Sequence, residues 1–226
     1  MGDAIGQMLP SAVGITISPV PLIAVILMLA TPKGRTTGMA FTIGWTLSLA
    51  VAVTIVLLLG SHGSAAGTSE VPASWVSWLK LAFGGLFVAM AAEQFMGRPR
   101  EGQSARTPGW MQAIDRFTPG RAFGLAVALA VVNPKNLALV ITGALSIASS
   151  SAGSGGKITA AALMVLVASL CTTLPLTIYL VGGERSAQIL EGWKSWMAAH
   201  NTSIMTTVLA ILGAKYIGDA ISALTS

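Results

Sequence analysis

The sequence predicts an all-α membrane protein in which six transmembrane helices form two inverted three-helix repeats, with helices one and four broken. Three observations predict it. Apolar residues make up 54% of the 226-residue chain and charged residues only 9%, against about 25% charged in soluble domains. Such a chain cannot clothe a water-facing surface, so the bilayer is its solvent. Six apolar runs each approach the roughly 20 residues needed to span hydrocarbon. Two of those runs are interrupted by proline at matching places, Ser18-Pro19-Val20-Pro21 in the first and Asn133-Pro134-Lys135-Asn136 in the fourth.

Span one covers Ala4 to Ala30; its length, and the absence of a basic leader in Met1-Gly2-Asp3, argue against a signal peptide. Span two covers Thr37 to Gly60 and is followed by a Gly/Ser-rich segment, Ser61 to Pro72, expected to be mobile. Span three, Ala73 to Met96, carries Trp75 and Trp78 near one end as interface anchors. The polar, arginine-rich stretch Gly97 to Pro119, with Pro99, Pro108, Trp110 and Pro119, reads as a connector. Span four is Gly120 to Ile147; Gly120 and Gly124 have helix-packing spacing. Span five is Ile158 to Val181, kinked at Pro175, whose freed carbonyls Thr172 and Thr173 can satisfy. Glu184 to His200 places Ile189, Leu190, Trp193, Trp196 and Met197 at helical spacing, the pattern of a helix lying in the membrane interface. Span six is Ser203 to Leu224, and Asn201-Thr202-Ser203 before it suits a helix cap better than a glycosylated sequon. The organisation is then a first repeat over 1–97, a connector over 98–119, and a second repeat over 120–226 that includes the interfacial helix at about 184–200.

Charge sets the orientation. Lys33, Arg35, Arg98, Arg100, Arg106, Arg116, Arg121, Arg185 and Lys194 fall on one side, against Lys157 and Lys80 on the other. The positive-inside rule places the richer loops in the cytoplasm and both termini outside, in a multi-pass protein of the plasma membrane. Three spans per half is an odd number, so a duplicated half must be inserted upside down relative to its copy. Leu81-Ala82-Phe83-Gly84-Gly85 also matches Leu209-Ala210-Ile211-Leu212-Gly213.

A proline inside a helix removes a donor and clashes with the carbonyl four residues back. In lipid the freed groups need a partner from protein, water or solute. A matched pair of interrupted spans is therefore a pointer to a transporter's binding site. The candidate substrate-binding residues are Asn133, Pro134, Lys135 and Asn136 in span four with Ser18, Pro19 and Pro21 in span one, and Thr16 adds a hydroxyl nearby. Lys135 is the sharpest of them, because a lysine at mid-bilayer costs about 2.5–3.5 kcal/mol on insertion scales. The alternative is that Lys135 and the asparagines only cap a helix break. Lys215 and Asp219, four apart in span six, form a candidate coupling pair or simply neutralise each other.

Other classes are disfavoured. The basic residues lie in loops between apolar runs, so the net charge of +5 does not make a nucleic-acid patch. Lone Cys171 excludes an internal disulfide, and His62 and His200 are too few for a metal cluster. No catalytic group, nucleotide-binding motif, metal site or cofactor is expected.

These residues resemble the LysE superfamily of small exporters, most closely its GAP branch, the peptidoglycolipid-addressing proteins. The resemblance rests on Ile17-Ser18-Pro19-Val20-Pro21, on Val132-Asn133-Pro134-Lys135-Asn136-Leu137 and on the basic connector, and it covers nearly the whole chain. It implies facing broken helices and export of a cell-envelope lipid or glycolipid, with membrane lipids as partners and a homo-oligomer or an envelope-transport protein as a further one. Within the wider superfamily the alternative is export of amino acids or small polar solutes. A non-transporting scaffold for envelope assembly is the alternative from another class.

Overall fold

The structure, a computed structural model, describes residues 2–65, 73–97 and 114–225. It is helical, with no strand among the described residues. The elements are α1 (Gly2–Thr16), α2 (Pro19–Leu29), α3 (Gly34–Ala65), α4 (Ala73–Met96), a 3₁₀ turn (Ile114–Arg116), α5 (Pro119–Val127) running into a π-helical turn (Ala128–Val132), α6 (Pro134–Ala148), α7 (Ser154–Val181) and α8 (Arg185–Thr225). Four of them hold a stretch long and apolar enough to cross a membrane: Gly34–Gly60, Ser77–Met96, Ser154–Val181 and Arg185–Thr225. Two bent pairs reach that length only together. These are α1 with α2, bent by 49°, and Pro119–Val132 with α6, bent by 64°. The described residues thus hold four to six candidate spans.

Each break follows from its prolines. Pro19 and Pro21 have no N–H to offer the carbonyls of Ile15 and Ile17, so α1 ends and Ser18 turns extended (φ −108°, ψ 109°). In the second pair, Pro134 forces the residue before it out of the helical region. Asn133 accordingly lies at φ −67°, ψ 117°, after the last turn has widened to a π-helix. The Asn133 side chain then caps the new helix by accepting from the Lys135 backbone N–H at 3.0 Å.

α3 shows what surrounds the bundle. Phe41, Trp45, Leu49 and Val53 are buried, while Met39, Ile43, Leu47, Val51 and Ile55 form an exposed row on another face. A helix apolar on both faces has no side made for water. α4 and α8 approach so closely that a Cβ at Gly84 would come within 2.7 Å of Ile217, and one at Gly213 within 2.7 Å of Val88. Small residues permit such approach where lipid offers no hydrophobic drive for association. The two sequence segments that match between the halves around these glycines therefore pack on each other.

The structure departs from the sequence reading in several places. Residues 185–225 form a single 41-residue helix, so the separate interfacial helix at 184–200 is instead the first part of α8. No proline interrupts it at His200 to Ser203, and Asn, Thr and Ser are only weak helix formers. At about 1.5 Å per residue, α8 is roughly twice as long as the hydrocarbon is thick. Asn201 lies inside this helix and is not a cap. α3 continues to Ala65, so the start of the Ser61 to Pro72 segment is helical. Gly120 and Gly124 face open space rather than a packed neighbour. Pro175 lies inside α7, where Thr172 and Thr173 donate to the Ser169 carbonyl rather than to the Cys171 carbonyl that the proline leaves free. The rest of that loop (66–72), most of the connector (98–113) with Trp110, and the side chains of His62 and Trp75 lie outside the described residues.

Candidate functional site

The two breaks meet, and Lys135 joins them. Its side chain runs from the first turn of α6 into the gap at the end of α1 and is 1% exposed. Nζ donates to the Gly14 carbonyl at 3.0 Å and to the Ser18 hydroxyl at 2.7 Å. Its third contact is the sulfur of Met205 on α8, at 3.9 Å, a weak acceptor. Ser18 in turn donates to Asn136 Oδ1 at 3.4 Å. The Asn136 amide nitrogen donates to the Leu129 carbonyl at 2.9 Å, closing a group within the π-helical turn.

Ser18 is an N-cap residue by type, yet it makes no side-chain cap bond. Capping hydroxyls accept from the second or third N–H of a helix. In α2 the first and third residues are Pro19 and Pro21, so most of that demand is gone. The hydroxyl is left to bridge Lys135 and Asn136. Pro19 and Pro21 are buried and Pro134 is exposed, so the paired prolines line the joint while Pro134 acts from outside it.

What the joint lacks is a counter-charge. The ion pairs among the described residues are Lys194–Glu191 and Lys215–Asp219, and neither involves Lys135. A buried ammonium held by a carbonyl, a hydroxyl and a thioether is solvated but not neutralised, and burial of an unpaired charge is costly. Among the described residues there is also no cluster of three His, Cys, Asp or Glu side chains that could hold a metal.

Lys215 and Asp219 are not brought to this joint. They pair along α8, with Lys215 also 5.6 Å from the centre of the Tyr216 ring. Beside them the Tyr216 hydroxyl makes hydrogen bonds with Ser11 on α1 and with Thr142 on α6, the latter at 2.9 Å. Thr16 turns away from the joint and donates to the carbonyls of Ala12 and of Val167 on α7.

Sequence reasoning missed Gly14, Met205 and the Ser11–Tyr216–Thr142 group, all of which depend on how helices cross. It also missed two polar side chains on α8. Asn201 Oδ1 and Thr206 Oγ1 are buried without a hydrogen-bond partner among the described residues. Their polarity inside an otherwise apolar stretch was the signal available.

A chain whose described residues are helical, with four to six candidate spans among them and a lysine buried between two broken ones, is a multi-pass membrane protein. Comparison with known proteins makes this more specific: the chain belongs to the family described as Sap, sulfolipid-1-addressing protein, whose model matches residues 8–222. No curated protein and no solved structure shows a significant match. The family is a lipid-addressing one, as is the peptidoglycolipid-addressing branch that the break motifs resemble.

Proposed function

We propose that this protein is a plasma-membrane exporter or flippase-like translocator of a lipid or glycolipid, of the sulfolipid or peptidoglycolipid type. In this reading repeats 1–97 and 120–226 are inverted copies, the connector lies in the cytoplasm and both termini lie outside. Alternating access passes a headgroup through the joint between the broken helices, and the chain carries no enzymatic activity of its own. Kinship with the LysE superfamily belongs to the same reading.

The observation that carries it is the buried Lys135 ammonium, which links both breaks with no acidic partner among the described residues. An ionisable group inside a membrane bundle faces a pathway or a partner, and the missing partner here is an anionic or strongly polar headgroup. Support for the inverted repeat comes from matched segments meeting their counterparts, Ser18 with Lys135 and Gly84 with Gly213, as segments near a twofold axis do. Half-helix ends at a repeat interface are the recurrent site in such folds. A lipid substrate is favoured over a small polar solute by the apolar pocket of about 370 Å³ at Leu22, Trp193, Trp196 and Met197, which gives hydrocarbon a place to lie.

The test is movement of a fluorescent glycolipid and of labelled amino acids in liposomes holding the purified protein, wild type against Lys135→Ala. The expected result is glycolipid movement that falls at least about ten-fold in the variant, with no amino-acid movement in either. Equal glycolipid movement in both proteins removes Lys135 from the pathway. Amino-acid movement lost in the variant hands the site to small solutes, and no movement of either by correctly folded wild type favours the scaffold.

A further inference from the structure

Along α8 the residues Trp193, Met197, Asn201 and Met205 recur every four positions and so share one strip of the helix. α2 lies against this strip in the opposite direction. Ser18, at the start of α2, sits with Lys135 at the level of Met205. Leu22, one turn further on, lines the pocket with Trp193, Trp196 and Met197. Between the two levels lies Asn201, whose Oδ1 is buried without a hydrogen-bond partner among the described residues. The groove between α2 and α8 therefore changes character within two helical turns, from an ammonium and an unpaired amide oxygen to an apolar, tryptophan-lined hollow.

Resting on the translocator reading above, the geometry points to this groove as the seat of one whole amphiphile, with a hydroxyl-rich acidic headgroup at Lys135 and Asn201 and an acyl chain along Leu22, Trp193 and Met197. The chemistry selects the headgroup. Lys135 offers a donor and needs an acceptor, best an anion. Asn201 Oδ1 is an acceptor and needs a donor, which a sugar hydroxyl supplies and a phosphate diester or a quaternary ammonium does not. A choline headgroup also meets the lysine with like charge. The acyl chain is the one occupant that continues from such a headgroup into the hollow without leaving a polar group unpaired.

The probe is sulfoquinovosyl diacylglycerol, an anionic sugar lipid, carrying a photoreactive diazirine near the end of one acyl chain. With wild-type protein in lipid nanodiscs, irradiation is expected to label peptides containing Leu22 or Trp193 to Met197. Phosphatidylcholine with the same tail labels them weakly. Binding titrations are expected to show the sugar lipid about ten-fold tighter than its per-O-methylated form, and Asn201→Ala to erase most of that preference. Labelling spread evenly over lipid-facing helices, or equal affinity for the methylated and free headgroups, overturns the inference. Both of those measurements use wild-type protein, so poor folding of a variant leaves the answer intact. Lys135-dependent transport with labels elsewhere sinks the groove and spares the translocator. Labels in the groove without transport by wild type do the reverse.

Discussion

Prolines interrupt this protein's helices at two places and leave them whole at two others. Pro10 and Pro175 sit inside α1 and α7, whereas Pro19 and Pro134 each open a new helix. The difference lies in whether the polar groups beside the proline tie two helix ends together. Around Pro175 the hydroxyls of Thr172 and Thr173 both donate to the Ser169 carbonyl, at 3.1 and 3.0 Å, inside one helix, and Thr42 on α3 reaches the Thr172 carbonyl at 3.5 Å without breaking it. Ser11 beside Pro10 likewise bonds to Tyr216 on α8 while α1 runs on. Around Pro19 and Pro134, Lys135, Ser18 and Asn136 join one broken helix to the other. A proline in a membrane helix marks a joint where it ends the helix and its neighbours hold that end to another.

The sharpest way to break that contrast is Lys135→Met, which keeps length and removes charge. A binding lysine lacking a counter-ion is a burden on the resting fold, and replacing buried charge by a fitted apolar group is often neutral or stabilising. The expected outcome is transport reduced about 100-fold or more, about 2.7 kcal/mol in the barrier, with a melting temperature unchanged or raised. A lysine that merely caps the break gives the opposite signature. Losing it orphans the Gly14 carbonyl at about 1–3 kcal/mol and leaves the Ser18 hydroxyl only its bond to Asn136, so the melting temperature falls. Thermal unfolding in detergent, read beside liposome transport, separates the two.

The prolines come next in size. Pro134→Ala restores the donor that would join the π-helical turn to α6 and releases Asn133 from its extended conformation. A straightened span swings Lys135 off Ser18, and transport is expected to fall about ten-fold while the helix itself gains regularity. Pro175→Ala in α7 is expected to change transport less than about two-fold, because the helix runs unbroken through that position and Thr172 and Thr173 make no hydrogen bond to Lys135, Ser18 or Asn136. Equal losses from both substitutions, measured in the same liposome assay, would show that the two kinds of proline do the same job.

Much of this was legible in the chain and part was not, for physical reasons. Composition and run length gave the spans closely, because the bilayer demands about 20 apolar residues whatever the packing. The breaks were legible because proline acts locally, and Lys135 because a charge stands out in an apolar run. Local signals failed where nothing local decides. The continuity of α8 through Asn201, Thr202 and Ser203 reflects packing against α2 and α4 rather than propensity. The carbonyl of Gly14 and the sulfur of Met205 have no signature as ligands until helices cross. The unpaired state of Asn201 and Thr206 likewise exists only in three dimensions.

The smallest effect is expected at the other intramembrane pair. Lys215 and Asp219 lie on one helix, four residues apart, with side chains 33% and 40% exposed. Asparagine keeps an acceptor for Lys215 at that position, and Lys215 also keeps the Tyr216 ring as a second neighbour when the charge goes. Asp219→Asn is therefore expected to shift the melting temperature only slightly and to leave transport within about two-fold. The informative readout is the response to an imposed pH gradient. A carboxylate that loads and releases a proton in each cycle makes net transport follow the gradient, and asparagine abolishes that response while sparing exchange at equilibrium. Neither Lys215 nor Asp219 contacts Lys135, Ser18 or Asn136, so the response is expected to survive the substitution. Its loss in a folded variant would mean that the pair acts on the joint through Tyr216, the residue beside Lys215 whose hydroxyl reaches Ser11 on α1 and Thr142 on α6.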